Sequence, residues 1–279
     1  MDKFSLKVIS YNIWDAPYWA SKEREERIPK IAEYLKKTDA DIICLQESFS
    51  IQHRRIIYET IGPDKYFSTC EFEKYRRLPF ATLDKTGGLV IFSKFPIVSC
   101  KFLSFLRLLK FSPEIFSLSE FFAHKGVQDI VVQTPKGPLQ IINTHLYPKN
   151  RRMFFKKYRL RQLSVIFEKI INQKRAPVIL AGDLNEDNLT GKEDFFAALL
   201  QSGFDFSGVG SGLLLPSYRM ENALIKKYRK QKKTLRLDYI FTKSINQFNL
   251  EAQKNSPVYL RPELSDHDPI VLSLIPSVK

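Results

Sequence analysis

From Phe4 to Ile13 apolar and polar residues alternate, the period-two pattern of a strand with one buried face. After Ser21 the period lengthens. Ile28, Ile31 and Leu35 recur at helical spacing in a charged segment reaching about Lys37, and Pro29 inside it threatens to shorten or kink the helix. Short apolar runs at Asp41–Leu45, Gly88–Phe95 and Pro177–Ala181 predict buried strands. Val127–Thr134 and Leu139–Leu146, separated by Pro135-Lys136-Gly137-Pro138, predict a hairpin. Arg151–Gln173 has the strongest helical pattern, with Leu163, Ile166, Phe167, Ile170 and Ile171 on its core face. Phe195–Leu200 predicts a further helix, and Leu237–Thr242 and Pro269–Leu274 the last strands. Strands and helices are mixed along the whole length, without a short repeat or a flexible linker. One layered α/β domain over residues 1–279 is the expectation, with an apolar insertion around 102–122.

The polar residues that close the apolar runs change the picture. Tyr11-Asn12, Gln46-Glu47, Asn143-Thr144-His145, Gly182-Asp183-Leu184-Asn185 and Ser265-Asp266-His267-Asp268-Pro269 each follow or adjoin a predicted strand. Carboxylates and amides at strand ends suit a hard divalent cation, which takes oxygen ligands. Histidine and asparagine supply donors for charge developing on a phosphoryl group. One such motif means little, because Asn after a strand is an ordinary turn residue and Glu an ordinary surface one. The set points to phosphodiester hydrolysis.

A net charge of +14 and a pI near 9.6 favour an anionic partner: nucleic acid, an anionic membrane or a phosphorylated substrate. Cys44, Cys70 and Cys100 are far apart and match no zinc or disulfide pattern, which favours a reducing compartment. Cys44 lies in an apolar run and reads as a buried thiol. No apolar leader precedes the first strand, and no uninterrupted apolar stretch reaches the length of about 18 residues that a spanning helix needs. These features favour a soluble or peripheral membrane protein, and the cytoplasm as its compartment.

As a set, the motifs, together with Leu237-Asp238-Tyr239-Ile240-Phe241, resemble the endonuclease/exonuclease/phosphatase superfamily over nearly the whole chain. The resemblance implies a four-layered α/β/β/α sandwich of two packed mixed sheets flanked by helices, with the site at the strand ends between the sheets. Gly87–Ile97 and Phe122-Ala123-His124-Lys125-Gly126-Val127 are most similar to the neutral sphingomyelinase branch. The Trp- and Arg-containing variants of inositol polyphosphate phosphatases are absent. His145 departs from the Tyr usual in apurinic-site nucleases but does not exclude the deoxyribonuclease branch.

The resemblance implies roles residue by residue. Glu47 is the candidate Mg²⁺ ligand, with Asn12 and Asp266 beside it and Mn²⁺ as a substitute ion. Asn12 also supports the reacting groups by holding a carboxylate or a phosphate oxygen. Asp183 orients or deprotonates water, and Asn185, which faces the same side of an extended segment, donates to a phosphoryl oxygen. His267 acts as acid or base with Asp238 as its partner, and His145 stabilises the transition state. Lys125 is either a cation beside the phosphate or part of an ordinary turn.

Phe102–Phe122 keeps neither period. It is either a membrane-contacting element, with Arg107 and Lys110 meeting lipid headgroups, or extra structure packed on the core. Lys149–Arg161 carries seven basic residues and no acidic one, and Lys226–Lys233 is a second basic run. Both suit lipid or nucleic-acid phosphates as readily as solvent. The expected activity is Mg²⁺-dependent hydrolysis of a phospholipid headgroup, sphingomyelin to ceramide and phosphocholine, at a phospholipid membrane surface. The alternative is a Mg²⁺-dependent nuclease on DNA or RNA. No obligate protein partner is implied.

Overall fold

In the computed structural model, residues 4–16, 20–69, 77–78, 81–82, 86–105, 123–148, 153–171, 177–187, 194–206, 215–229 and 233–277 are described. Strands β1 (Leu6–Asp15), β2 (Ile42–Ser48), β3 (Phe67–Ser68), β6 (Val90–Ser93), β12 (Leu250–Pro257) and β13 (Ile270–Pro276) form a six-stranded sheet in the order β12-β13-β1-β2-β6-β3. Strands β7 (Ile97–Ser104), β8 (Gly126–Thr134), β9 (Gly137–His145), β10 (Val178–Asp183) and β11 (Asp238–Lys243) form a five-stranded sheet in the order β11-β10-β9-β8-β7. A small ribbon pairs β4 (Arg77–Leu78) with β5 (Ala81–Thr82).

Three apolar clusters separate the layers. Helices α1 (Arg24–Thr38) and α2 (Ile51–Ile61) bury Ile28, Ile31, Leu35 and Ile57 against Ile9, Tyr11, Ile43 and Leu45 of the first sheet. Helix α3 (Met153–Ile166), prolonged by a π-helical turn at Phe167–Ile171, and α4 (Asp194–Gln201) bury Leu163, Ile166, Ile170 and Leu199 against Ile142, Leu180, Tyr239 and Phe241 of the second. Between the sheets lie Val8, Ile42, Cys44, Ile141, Ile179, Ile240 and Leu272. This is the expected four-layered sandwich. It explains why the central strands read as unbroken apolar runs: both of their faces are covered.

Helix α1 runs straight through Pro29. That residue is exposed and sits in the second turn, where its missing N–H removes one helix bond. Glu25 and Glu26 in the first turn and Lys36 and Lys37 in the last complement the helix dipole. The β8–β9 hairpin forms as predicted, with Thr134 paired to Gly137. Phe102–Ser104 close β7, so the odd apolar stretch begins in a sheet strand; 106–122, including Arg107 and Lys110, lies outside the described residues. Among those described, no helix is long and apolar enough to cross a membrane. Cys44 is a buried free thiol whose pKa burial raises.

Candidate active site

Register brings the chemistry together. On the five-stranded sheet Asp183 pairs with His145 on one side and Asp238 on the other, so three polar residues share one rung at the strand ends. The interior grades towards them. Val8, Ile42 and Ile141 are followed two residues on by Ser10, Cys44 and Asn143, and then by Asn12, Gln46 and His145. Gln46 Nε2 donates to Asn143 Oδ1 (2.8 Å) and Ser10 Oγ (3.2 Å), which ties the two sheets by a buried polar layer directly beneath the site. Gly182 makes the close approach possible. Its φ is +151°, and a Cβ there would lie 1.9 Å from the Thr144 carbonyl oxygen.

The first sheet contributes Asn12 and Glu47, at the ends of parallel neighbours β1 and β2. Asn12 Nδ2 donates to Glu47 Oε1 (3.2 Å) and Asp183 Oδ2 (3.0 Å), a bridge from one sheet to the other. Its Oδ1 accepts from the Trp14 amide (3.0 Å). Glu47, Trp14 and Asn185 all have φ near +50°, the left-handed region where non-glycine residues store strain at functional sites. Asn185 is turned so that its amide N–H reaches Asp183 Oδ1 (2.9 Å), and its Nδ2 donates to the Leu146 carbonyl (3.1 Å).

The loop before β13 completes the site. Ser265 Oγ donates to the Asn12 carbonyl (2.7 Å) and accepts from the His267 amide (3.3 Å). His267 Nδ1 lies 2.7 Å from Asp238 Oδ2, and its Nε2 lies 3.8 Å from Asp183 Oδ2. His145 Nε2 is 3.4 Å from the same Asp183 oxygen. Lys125 does not point freely at the cleft: its Nζ donates to His145 Nε2 and to the Leu146 carbonyl, each at 3.0 Å. With the ammonium donating to Nε2, the imidazole proton belongs on Nδ1.

The environments drive the two histidines apart. Burial, Lys125 and His267 all press His145 well below the ordinary imidazole range, so it is neutral. Burial pushes His267 the same way, but the Asp238 and Asp183 charges outweigh it and hold the ring well above that range. Burial and the Asp238 charge raise Asp183 to about 7. Burial and Asp266 raise Glu47. One neutral and one protonated imidazole around a poised carboxylate is an acid–base arrangement.

The donor set fits a hard cation. Glu47, Asp183, Asp238 and Asp266 crowd negative charge around buried polar atoms, and His145 Nδ1 and Asp238 Oδ1 make no hydrogen bond. Among the described residues, the tightest ligand-type group is Asp183, Asp238 and His267, with atoms within 4.8 Å of one another. Its Asp238 Oδ2 is already engaged by His267 Nδ1 and Ser217 Oγ, and a hard ion prefers oxygen to imidazole nitrogen. That trio therefore reads better as a proton-handling pair beside Asp183 than as a cage.

Sequence reasoning did not find the support that comes from Ser217–Arg229. Ser217 Oγ donates to Asp238 Oδ2 (2.6 Å), and Tyr218 sets its ring edge-on to His267 with centroids 5.1 Å apart. Asn222 Nδ2 donates to the Ser265 carbonyl (2.9 Å), and Arg229 donates to Asp266. Arg219 forks onto both oxygens of Asp268 at 2.6 and 2.9 Å. A loop serine or asparagine carries no pattern of its own. The only legible signal was the basic run from Lys226, which suits anionic phosphates or solvent; within it Arg229 Nε and Nη2 donate to Asp266 and Lys227 donates to Glu23.

A two-sheet sandwich with an acid, amide and histidine cleft at its strand ends defines the deoxyribonuclease-like class of fold. The chain belongs to the endonuclease/exonuclease/phosphatase family, whose profile matches residues 9–267. It is 32% identical over 187 residues to the inositol phosphosphingolipids phospholipase C of Schizosaccharomyces pombe, covering 64% of this chain and 41% of that one. It is 24% identical over 294 residues to sphingomyelin phosphodiesterase 2 of Mus musculus, covering 96% of this chain and 65% of that one. The chain thus spans less than two thirds of the length of these relatives. A Staphylococcus aureus beta toxin mutant with bound magnesium ions superposes with a TM-score of 0.70 at 19% identity, over 98% of this chain and 100% of the other. D. rerio TDP2 complexed with a single-strand DNA product gives 0.71 at 16% identity, over 97% and 98%.

Proposed function

We propose that this chain is a Mg²⁺-dependent phosphodiesterase that hydrolyses a sphingolipid headgroup at a membrane surface, sphingomyelin to ceramide and phosphocholine. The observation that carries the chemistry is the His145–Asp183–Asp238 rung facing His267, with Asn12 bridging Asp183 to Glu47. The substrate follows the sphingolipid phosphodiesterases among its relatives.

Asp183 aligns the attacking water and takes its proton, which suits a carboxyl raised to about 7. The water oxygen bonds to phosphorus as the bond to the ceramide oxygen breaks. Protonated His267, kept charged by Asp238, is the donor to the phosphoryl group and the acid for the departing oxygen. Asn185 donates to a phosphoryl oxygen through the Nδ2 hydrogen that Leu146 does not take. Neutral His145, held by Lys125, steadies the same group. Glu47, with Asn12 and Asp266, would hold the Mg²⁺, which when bound would neutralise phosphoryl charge. Mn²⁺ fits the same oxygen set.

Sphingomyelin vesicles and plasmid DNA, each with Mg²⁺ and with EDTA, test the reading. The expected result is lipid cleavage abolished by EDTA, without DNA nicking. His267→Ala should lower turnover by roughly 10²–10⁴-fold while the protein still folds, as circular dichroism checks. DNA nicking without lipid cleavage makes the protein a nuclease on the same scaffold, and turnover of neither overturns hydrolysis altogether.

A further inference from the structure

We propose that Arg229 is the residue that receives the phosphodiester at the open side of the site: one edge of its guanidinium holds Asp266, and the free edge donates to a non-bridging phosphoryl oxygen. The proposal rests on the phosphodiesterase reading and adds to it a substrate-binding residue that none of the strand-end motifs contains.

Five observations support it. Arg229 Nε and Nη2 both donate to the same oxygen, Asp266 Oδ2, at 3.0 and 2.7 Å. Its Nη1 makes no hydrogen bond among the described residues. Its side chain keeps 37% of its surface in solvent, against 3% for Asp266. The guanidinium carbon stands 4.7 Å from the centroid of the Trp14 ring, so the fork is held in a plane rather than swinging on a loose stem. Helix α5 (Ala223–Tyr228), which delivers Arg229, is pinned to the start of α1, where Lys227 and Tyr228 both donate to Glu23.

The other arginines nearby are buried in structural contacts. Arg27 also lies over Trp14, at 4.9 Å, but it is buried and donates to the carbonyls of Ile13, Trp14, Lys22 and Leu264. Arg219 is stacked on Tyr259 and spends its fork on both oxygens of Asp268. Both are structural. Arg229 differs in being partly exposed beside Asp266, close enough for the Asp266 and Glu47 charges to act on it, with its Nη1 making no hydrogen bond among the described residues. A planar guanidinium with a free edge beside the candidate metal ligands matches the tetrahedral, doubly accepting face of a phosphodiester.

The test compares wild type, Arg229→Ala and Arg229→Lys. Inorganic phosphate binding to the Mn²⁺-loaded protein is followed by titration calorimetry, and Mn²⁺ binding alone is the control. Arg229→Ala should weaken phosphate at least about tenfold, the usual size of losing one charge-assisted hydrogen bond, with Mn²⁺ affinity unchanged. With bis(p-nitrophenyl) phosphate as a soluble diester, its KM should rise more than its kcat falls. Added guanidinium should recover part of the loss, and lysine should restore less than arginine. Unchanged phosphate affinity in Arg229→Ala overturns the proposal. So does a loss that tracks weakened Mn²⁺ binding, which would make Arg229 only a brace for Asp266. A wild type that cleaves the soluble diester but not sphingomyelin sinks the lipid reading and leaves Arg229 still tested.

Discussion

Glu47 is a residue whose charge is useful only with a partner. It is half-buried, accepts one hydrogen bond from Asn12, and is pushed above its ordinary carboxylate value of 4.5 by burial and by Asp266. In the metal-free protein the folded state therefore holds a proton that the unfolded chain has already released. The resulting loss of stability is absent below pH 4.5, grows as pH rises, and is complete once the folded carboxyl has ionised. Glu47→Gln keeps the acceptor for Asn12 and removes the charge. At neutral pH we expect the variant to melt at or above wild type without metal. Added Mg²⁺ should raise the wild-type melting temperature by mass action and leave the variant unmoved. A variant still stabilised by Mg²⁺ would remove Glu47 from the metal site.

Strand β10 shows how an element carries a residue to its post. Its run from Val178 to Ala181 is apolar on both faces, then Gly182 presses the backbone against β9 and Asp183 lands between His145 and Asp238. Gly182→Ala cannot be absorbed, because the added carbon meets backbone rather than a flexible side chain. Strain of this kind should cost about 3 kcal/mol. Chemical denaturation should report that loss, and turnover should fall by more than stability alone explains, since Asp183 is carried off its rung. Strands such as β10 were legible because burial on both faces leaves an apolar signature. Helix α2 was not, since it buries His53 and Arg54 beside Ile57 and Ile61 and so breaks the apolar stripe. Strand β12 was missed for the opposite reason: it is a sheet edge, partly exposed, and reads as a polar loop.

The whole molecule carries +14, and no single contact absorbs that excess. For a lipid substrate the charge should act at the surface. Binding to vesicles containing an anionic phospholipid should weaken steadily as salt is raised, while binding to neutral sphingomyelin vesicles should barely change. Sedimentation of the two vesicle types measures this, and equal salt dependence would detach the charge from membrane association. The chain alone determined the layered α/β class, the strand-end motifs and the family, because period and local composition are properties of neighbours in sequence. Only the tertiary structure decided that Asn12 joins two carboxylates from opposite sheets, that Lys125 turns towards His145, and that Ser217, Tyr218, Asn222 and Arg229 brace the site. Those contacts join segments far apart in the chain through single polar side chains. Such a side chain leaves no periodic trace, and its meaning exists only once the sheets have closed.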